Sequence, residues 1–104
     1  MAKTSYSIYL DYQKAIKQAE RLEQAAKELS KEVAKMDDCY SSIQAAWKSD
    51  SASAYLAKVR KVREELNTVE NNLSETAATI RKIAKNTYEA EKRALVIAQT
   101  RKVQ

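Results

Sequence analysis

The residue types that could carry chemistry in this chain are those of protein recognition rather than of catalysis. The 104 residues contain one cysteine and neither histidine nor glycine. They therefore offer no CxxC or histidine metal motif and no glycine loop that could hold a phosphate. The acidic pair Asp37-Asp38 fits a solvated helix face better than acid–base chemistry. These absences predict a protein that is not an enzyme and uses no cofactor, metal or small-molecule substrate.

The aromatic residues of this chain are one tryptophan and six tyrosines with no phenylalanine, which favours use at protein interfaces. Trp47 is the single tryptophan, and the small residues that follow Ser49 lead directly to Tyr55. A tyrosine combines apolar area with a hydroxyl that can stay hydrated, which suits protein interfaces. Plainer interpretations stay open: Trp47 closes one end of a helix pair, and Tyr88 is an ordinary helix-face aromatic.

The elements that must position these residues are predicted to be helices. The chain has no glycine and no proline, the residues that usually end helices or form tight turns. Its many alanines favour helix and let helices approach closely, although an alanine-rich seam buries little area. We therefore expect an all-α protein, one domain over residues 1–104, that gains stability from a partner.

Two blocks of apolar heptad repeats predict two long helices joined by a coiled-coil-like seam. In the first block the lines run from Ile8 to Ile43 and from Tyr12 to Trp47. In the second they run from Ala52 to Ala94 and from Tyr55 to Ile97. The candidate hairpin or dimer seam residues are Leu22, Leu29, Val33, Met36, Tyr40, Ile43, Val59, Val62, Leu66, Val69, Leu73, Ile80 and Ile83.

The registers of the two blocks do not join, which predicts one turn just after Trp47. Ser49, Asp50 and Ser51 are suitable N-cap residues for the second helix, and Thr4 or Ser5 can cap the first. The predicted elements are a helix over 5–46, a turn over 47–50, a helix over 51–98 and a short basic tail.

So short a connection predicts an antiparallel two-helix hairpin. The start of the first helix should then lie beside the stretch from Ile83 to Tyr88. Two hairpins are expected to dimerise into a four-helix bundle, which would cover more of the thin apolar seam.

The net charge of +5 is concentrated in residues 81–104. This positive charge suits an acidic partner, a nucleic acid or a membrane surface. A plainer interpretation is a solvated helix end whose cations interact favourably with the helix dipole. A membrane-active helix over residues 92–104 is set aside because its apolar run is short. No apolar run is long enough for a membrane span, and the first residues lack the apolar core of a secretory signal peptide. Cys39 is expected to be a small, half-buried filler, with an intermolecular disulfide as the minor alternative.

The turn resembles that of the WXG family, the ESAT-like small helical hairpins handled by bacterial type VII secretion systems. Members of that family carry Trp-x-Gly in the turn and commonly an aromatic residue shortly after it. Here the turn reads Trp47-Lys48-Ser49, with serine in place of glycine, and Tyr55 matches the aromatic.

The same family carries a C-terminal Tyr-x-x-x-Asp/Glu export signal, which Tyr88 and the residues after it resemble. Lys92 stands in the position of the acid, and Glu91 precedes it by one place. The resemblance therefore implies a turn motif of Trp47, Ser49 and Tyr55, and a recognition signal formed by Tyr88 and Glu91.

The resemblance implies a type VII secretion-associated interaction module, either a secreted effector or a small targeting companion of a larger toxin. Lys92 favours the companion role, with the partner supplying the full signal. The implied partners are itself or a related small helical protein, the helical N-terminal domain of a toxin, and a secretion ATPase. The protein would leave a bacterial cell without a cleavable signal peptide, after a cytoplasmic stage.

Two other functions remain open on the residues alone. A structural coiled-coil adaptor would need neither Trp47 nor Tyr88. A nucleic-acid-binding hairpin would place cations on phosphates, but the acidic residues within 64–75 and the neutral first helix argue against a long basic face. Its phosphate contacts would be Arg81, Lys82, Lys85, Arg93, Arg101 and Lys102.

Overall fold

The computed structural model describes residues 3–103, and two long helices account for nearly all of them. Helix α1 runs Ser5–Ala46 and helix α2 runs Asp50–Val103, with residues 47–49 between them. The described range contains no strand. The prediction of an all-α helical hairpin is confirmed.

Helix α1 begins with a reciprocal pair of side-chain caps. The Ser7 amide donates to Thr4 Oγ1 at 3.1 Å, and the Thr4 amide donates to Ser7 Oγ at 3.0 Å. The Ile8 amide then donates to the Thr4 carbonyl at 3.0 Å. This arrangement is a capping box with serine as its second member, so the N-cap is Thr4 rather than Ser5.

Helix α2 begins on Ser49. The Ser49 Oγ accepts from the Ala52 amide at 3.1 Å, and the Ser49 carbonyl accepts from the Ser53 amide at 3.0 Å. Asp50 lies in the first turn, where a carboxylate interacts favourably with the helix dipole. Of the three predicted candidates, Ser49 is thus the N-cap.

The far end of α2 corrects the sequence prediction. We expected the helix to end near residue 98 and to leave a basic tail, but it continues to Val103. No glycine or proline interrupts this stretch, and cations near a helix C-terminus favour the dipole. Gln104, the last residue of the expected tail, lies outside the described residues, as do Met1 and Ala2.

The chain divides into two compact units. Unit 1 takes the residues up to Leu22 and those from Glu75 onward, and unit 2 is Glu23–Ser74. Each unit therefore contains one segment of α1 and one of α2, which run antiparallel. The buried apolar residues in unit 1 are Ile8, Ala19, Ala77 and Ala84, and those in unit 2 are Ala26, Val33, Ala52 and Leu56.

The two helices use their predicted apolar lines differently. On α1 both lines face the hairpin seam, with Val33 buried and Leu22, Leu29, Met36, Tyr40 and Ile43 half-buried. On α2 only the line from Ala52 to Ala94 faces the seam. Its members Val59, Leu66, Leu73 and Ile80 are half-buried.

The second predicted line of α2 stays exposed. In unit 2 it comprises Tyr55, Val62 and Val69, which are 50%, 46% and 45% exposed. In unit 1 it comprises Ile83 and Ile97, also exposed. We call these five residues the exposed line. Its place in the seam is taken by the adjacent heptad position, which carries Leu56, Arg63, Glu70, Ala77, Ala84 and Glu91.

Candidate functional sites

The turn in unit 2 displays a pair of aromatic rings. The Trp47 amide donates to the Ile43 carbonyl at 2.8 Å, which extends the hydrogen bonding of α1 up to the indole residue. The Trp47 and Tyr55 ring centroids are 6.4 Å apart, with the planes tilted by 41°. Both side chains remain about half exposed. The pair is therefore available to a binding partner as well as closing this end of the hairpin.

Ser49 occupies its turn position without backbone strain. No non-glycine residue in the range 3–103 has a positive φ, so this position does not need the conformational freedom of glycine. The serine hydroxyl instead caps α2 through its hydrogen bond to the Ala52 amide. In the Trp-Lys-Ser turn, the serine therefore acts as the N-cap of α2.

A polar cluster crosses the seam of unit 2. The Arg63 guanidinium donates through Nε to Asp37 Oδ1 and through Nη2 to Asp37 Oδ2, the latter at 3.2 Å. The hydrogen bond and the charge of Asp37 raise the pKa of Arg63. Arg60 donates to the Tyr40 hydroxyl and lies 5.5 Å from the centroid of that ring.

This cluster corrects the interpretation of Asp37 as part of a solvated helix face. Asp38 fits that interpretation, since it is exposed, but Asp37 forms an interhelix ion pair. Sequence reasoning missed Arg60 and Arg63 because it sought apolar repeats. Pairing the charges of the two helices in antiparallel register would have found them.

Tyr88 lies in unit 1 and packs on an aromatic residue of α1. Its ring centroid is 4.9 Å from that of Tyr12, with the planes tilted by 36°, which agrees with the predicted antiparallel neighbourhood. Lys92 Nζ lies 5.2 Å from the centroid of the Tyr88 ring, a cation–π arrangement. Tyr88 is consequently half-buried rather than freely displayed.

Glu91 joins the same group through an ion pair. Its Oε1 accepts from Lys3 Nζ at 3.0 Å, and Lys3 Nζ also lies 3.6 Å from Asp11 Oδ2. The hydrogen bond to Glu91 is the main cause that raises the pKa of Lys3. Sequence reasoning missed Lys3 and Asp11, because neither belongs to an apolar line or to the resemblance.

An apolar cavity of about 240 Å³ adjoins these residues in unit 1. The residues that line it include Tyr12, Ala15, Ile83, Ala84 and Glu91. The two alanines leave the space open, because neither has a side chain that could reach across it. The structure therefore groups Tyr88 and Glu91 in unit 1, and Trp47, Ser49 and Tyr55 in unit 2.

The expectation that Cys39 is half-buried is wrong. Cys39 is exposed and is not a half-buried filler, because its helix position lies outside both apolar lines of α1.

Among the residues with described positions, no group of three or more histidine, cysteine or acidic side chains could hold a metal ion. Over the same range, neither helix includes an apolar stretch sufficient to cross a bilayer.

Comparison with known protein families identifies the family of this chain. The family model described as proteins of 100 residues with WXG matches residues 7–92. The chain belongs to the WXG100 family. The matched range includes the turn, Tyr88 and Glu91, while no curated protein and no solved structure matches the chain.

Membership of the WXG100 family defines the general role of the protein. It is a small helical protein associated with type VII secretion in bacteria. WXG100 proteins are secreted, are not known as enzymes, and typically form dimers with helical partners. This chain departs from the family motif in having Ser49 where the motif has glycine.

Proposed function

We propose that this WXG100 protein is a small companion that associates with a helical partner and helps to deliver it for secretion. The exposed line of α2 carries the proposal. Apolar side chains at heptad spacing are typical of helix–helix contacts, and the hairpin leaves this line uncovered. A second helical hairpin is the partner that such spacing fits.

The thin core supports association with a partner. Most of the buried residues are alanines, and the described chain has no fully buried large side chain. Apolar burial contributes about 25 cal/mol per Å², so an alanine seam contributes little for its length. Covering Val62 and Val69 in unit 2, and Ile83 and Ile97 in unit 1, would add the missing apolar area. A four-helix bundle does this.

The aromatic pair of the turn is the proposed recognition element. Exposed, mutually packed tryptophan and tyrosine rings are typical of binding hot spots. By the family resemblance, Trp47 and Ser49 of one subunit would act with Tyr88 and Glu91 of the other as a bipartite surface. Secretion would then proceed through a secretion ATPase.

Lys92 supports the companion role over that of an independently exported effector. Its ammonium lies over the Tyr88 ring, in the sequence position where the family signal has an acid. The partner would therefore supply the complete signal. A larger toxin with a helical N-terminal domain fits this requirement, as does a related small helical protein.

Substitution of the turn aromatic tests the proposal. In a bacterium that secretes the wild-type protein, Trp47→Ala should abolish export while far-UV circular dichroism stays unchanged. The matched control is Tyr6→Ala, which removes an aromatic residue that is 70% exposed but lies outside the motif. Export of Trp47→Ala at the wild-type level would contradict the proposal and favour a structural adaptor.

A further inference from the structure

In unit 2 the exposed line is symmetric about its middle residue. Tyr55, Val62 and Val69 follow one another at intervals of seven residues, and each is about half exposed. A two-fold axis at Val62 would place Tyr55 of one copy against Val69 of another, and Val62 against itself. Helices related in this way run antiparallel, so this part of the exposed line is complementary to itself.

Two charged side chains flank these apolar residues. Lys58 lies three residues after Tyr55, and Glu65 lies three residues after Val62. Both are exposed, and neither forms an ion pair with another described residue. Under the same two-fold axis, Lys58 of one copy lies level with residue 66 of the other, about 1.5 Å along the helix from Glu65. The two copies would thus form two equivalent pairs of opposite charge, the kind of flanking contact that sets register in coiled coils.

The charges of this part of the chain are segregated in a way that suits the same arrangement. Residues 48–63 carry five basic side chains and one acidic, whereas residues 64–74 carry three acidic and no basic. An antiparallel pairing centred on Val62 lays the basic block of one copy along the acidic block of the other. Opposite potentials that meet across an interface speed the encounter and fix the register.

A register shifted by one heptad is disfavoured by the same residues. Pairing Val62 of one copy with Val69 of the other would bring the two Glu65 side chains together, and like charges that face each other are destabilising. Lys58 would then lie beside Asn72, which carries no charge. The flanking charges therefore distinguish between registers that the apolar spacing alone allows.

We propose that a second copy of this chain docks antiparallel on the unit 2 part of the exposed line, with the two-fold axis at Val62 and two Lys58–Glu65 pairs beside it. The inference rests on the proposed function only in taking the exposed line as the surface that receives a helical partner. Lys58 and Glu65 are then the residues that determine which helix, in which register, this surface accepts.

Cysteine cross-linking tests the register. In a Cys39→Ser background, which removes the exposed native thiol, Val62→Cys should form a disulfide-linked dimer on mild oxidation with diamide, because residue 62 meets its own symmetry mate. Val69→Cys is the matched control on the same line, since the two copies of residue 69 would lie about 21 Å apart along the helix, beyond disulfide reach. Failure of Val62→Cys to cross-link, or equal cross-linking of Val69→Cys, would overturn the proposal.

Charge reversal tests the flanking pair. Lys58→Glu and Glu65→Lys each replace both pairs of opposite charge by like-charge contacts, and each should weaken self-association about tenfold in sedimentation equilibrium. Mixed in equal amounts, the two variants should form a heterodimer in preference to either homodimer, because only the mixture restores opposite charges. Lys61→Glu and Glu64→Lys make the same changes of net charge at exposed positions outside the exposed line, and their mixture should show no such preference. Absence of a preferred heterodimer from the first mixture would overturn the role of Lys58 and Glu65.

The molar mass of the wild-type protein separates this inference from the proposed function. A dimer that dissociates on dilution is expected. A protein that stays monomeric throughout the dilution series would overturn the second copy as the occupant and would assign the exposed line to a different helical partner. Export of Trp47→Ala bears on the proposed function alone, since Trp47 is not part of the exposed line, so the two can fail separately.

Discussion

The two units of the hairpin differ in the hydrogen bonding of their seam acids and in the exposure of their aromatic pairs. In unit 2 the seam acid Asp37 receives two hydrogen bonds from Arg63, and the aromatic pair at the turn is exposed. In unit 1 the seam acid Glu91 has one buried oxygen without a donor among the described residues, and the aromatic pair is half-buried beside a cavity.

This difference concerns how completely the polar groups of each unit are hydrogen-bonded. Satisfied polar pairs in a seam fix register and orientation, and unit 2 has such a pair in Asp37 and Arg63. A buried acceptor without a donor costs stability, so the seam acid of unit 1 contributes less to its fold than that of unit 2. Substitutions can test how far unit 2 depends on its cap and its polar pair, and how far unit 1 depends on its alanine packing and its ion pair.

The largest expected effect comes from overpacking the alanine seam of unit 1. Ala77 is 0% exposed, so Ala77→Leu must push the helices apart and should lower the free energy of unfolding by about 1–3 kcal/mol. The adjacent Ala78→Leu, on an exposed face, should change it little. Chemical denaturation of both variants measures the difference. Equal stability would mean that the seam tolerates a large side chain and is not closely packed.

The second effect tests how the turn works without glycine. Ser49→Ala removes the hydroxyl that accepts from the Ala52 amide and should cost about 1 kcal/mol, whereas Ser49→Gly should cost only a few tenths. Ser51→Ala is the control, since the cap is made by Ser49. Thermal or urea unfolding distinguishes them. If Ser49→Gly were the more damaging change, capping would not explain why serine replaces the family glycine.

A smaller effect is expected from the Asp37–Arg63 pair. Both side chains are more than a third exposed, so solvent screening reduces the value of the pair. The variants Asp37→Asn and Arg63→Gln and their combination form a double-mutant cycle. We expect a favourable coupling smaller than the loss caused by Ser49→Ala. Purely additive effects would show that the pair contributes nothing to holding unit 2 together.

The heptad repeats were sufficient to predict the helices, the position of the turn and the antiparallel pairing, because apolar spacing and missing breakers determine those features. They were not sufficient to say which α2 line faces α1. Val62 and Val69 are as apolar as the residues of the seam, but the hairpin places Leu56 and Arg63 there instead. A repeat identifies an apolar arc on a helix but not the angle at which the neighbouring helix approaches it.

Some features of the candidate sites could likewise be predicted from the sequence and others could not. Trp47, Ser49, Tyr88 and Glu91 could be found from motif spacing, because the family resemblance is carried by the sequence. The cavity in unit 1 could not be found, since it arises where Ala15 and Ala84 leave space beside Tyr12. The partner of Asp37 could be found only by pairing the charges of the two helices in antiparallel register, and Lys3, the partner of Glu91, lies outside every apolar line.

The smallest effect concerns the pH dependence of unit 1. The pKa of Lys3 is raised in the folded protein, chiefly by its hydrogen bond to Glu91. The folded state therefore holds this proton more tightly, so the ion pair stabilises the fold below the ordinary lysine pKa of about 10.4. That stabilisation is lost as the pH rises through the folded pKa. Lys3→Met should unfold slightly more easily than wild type at neutral pH, and the two should converge above that range. A difference that persisted in strong alkali would mean that Lys3 acts through the packing of its aliphatic chain rather than through its charge.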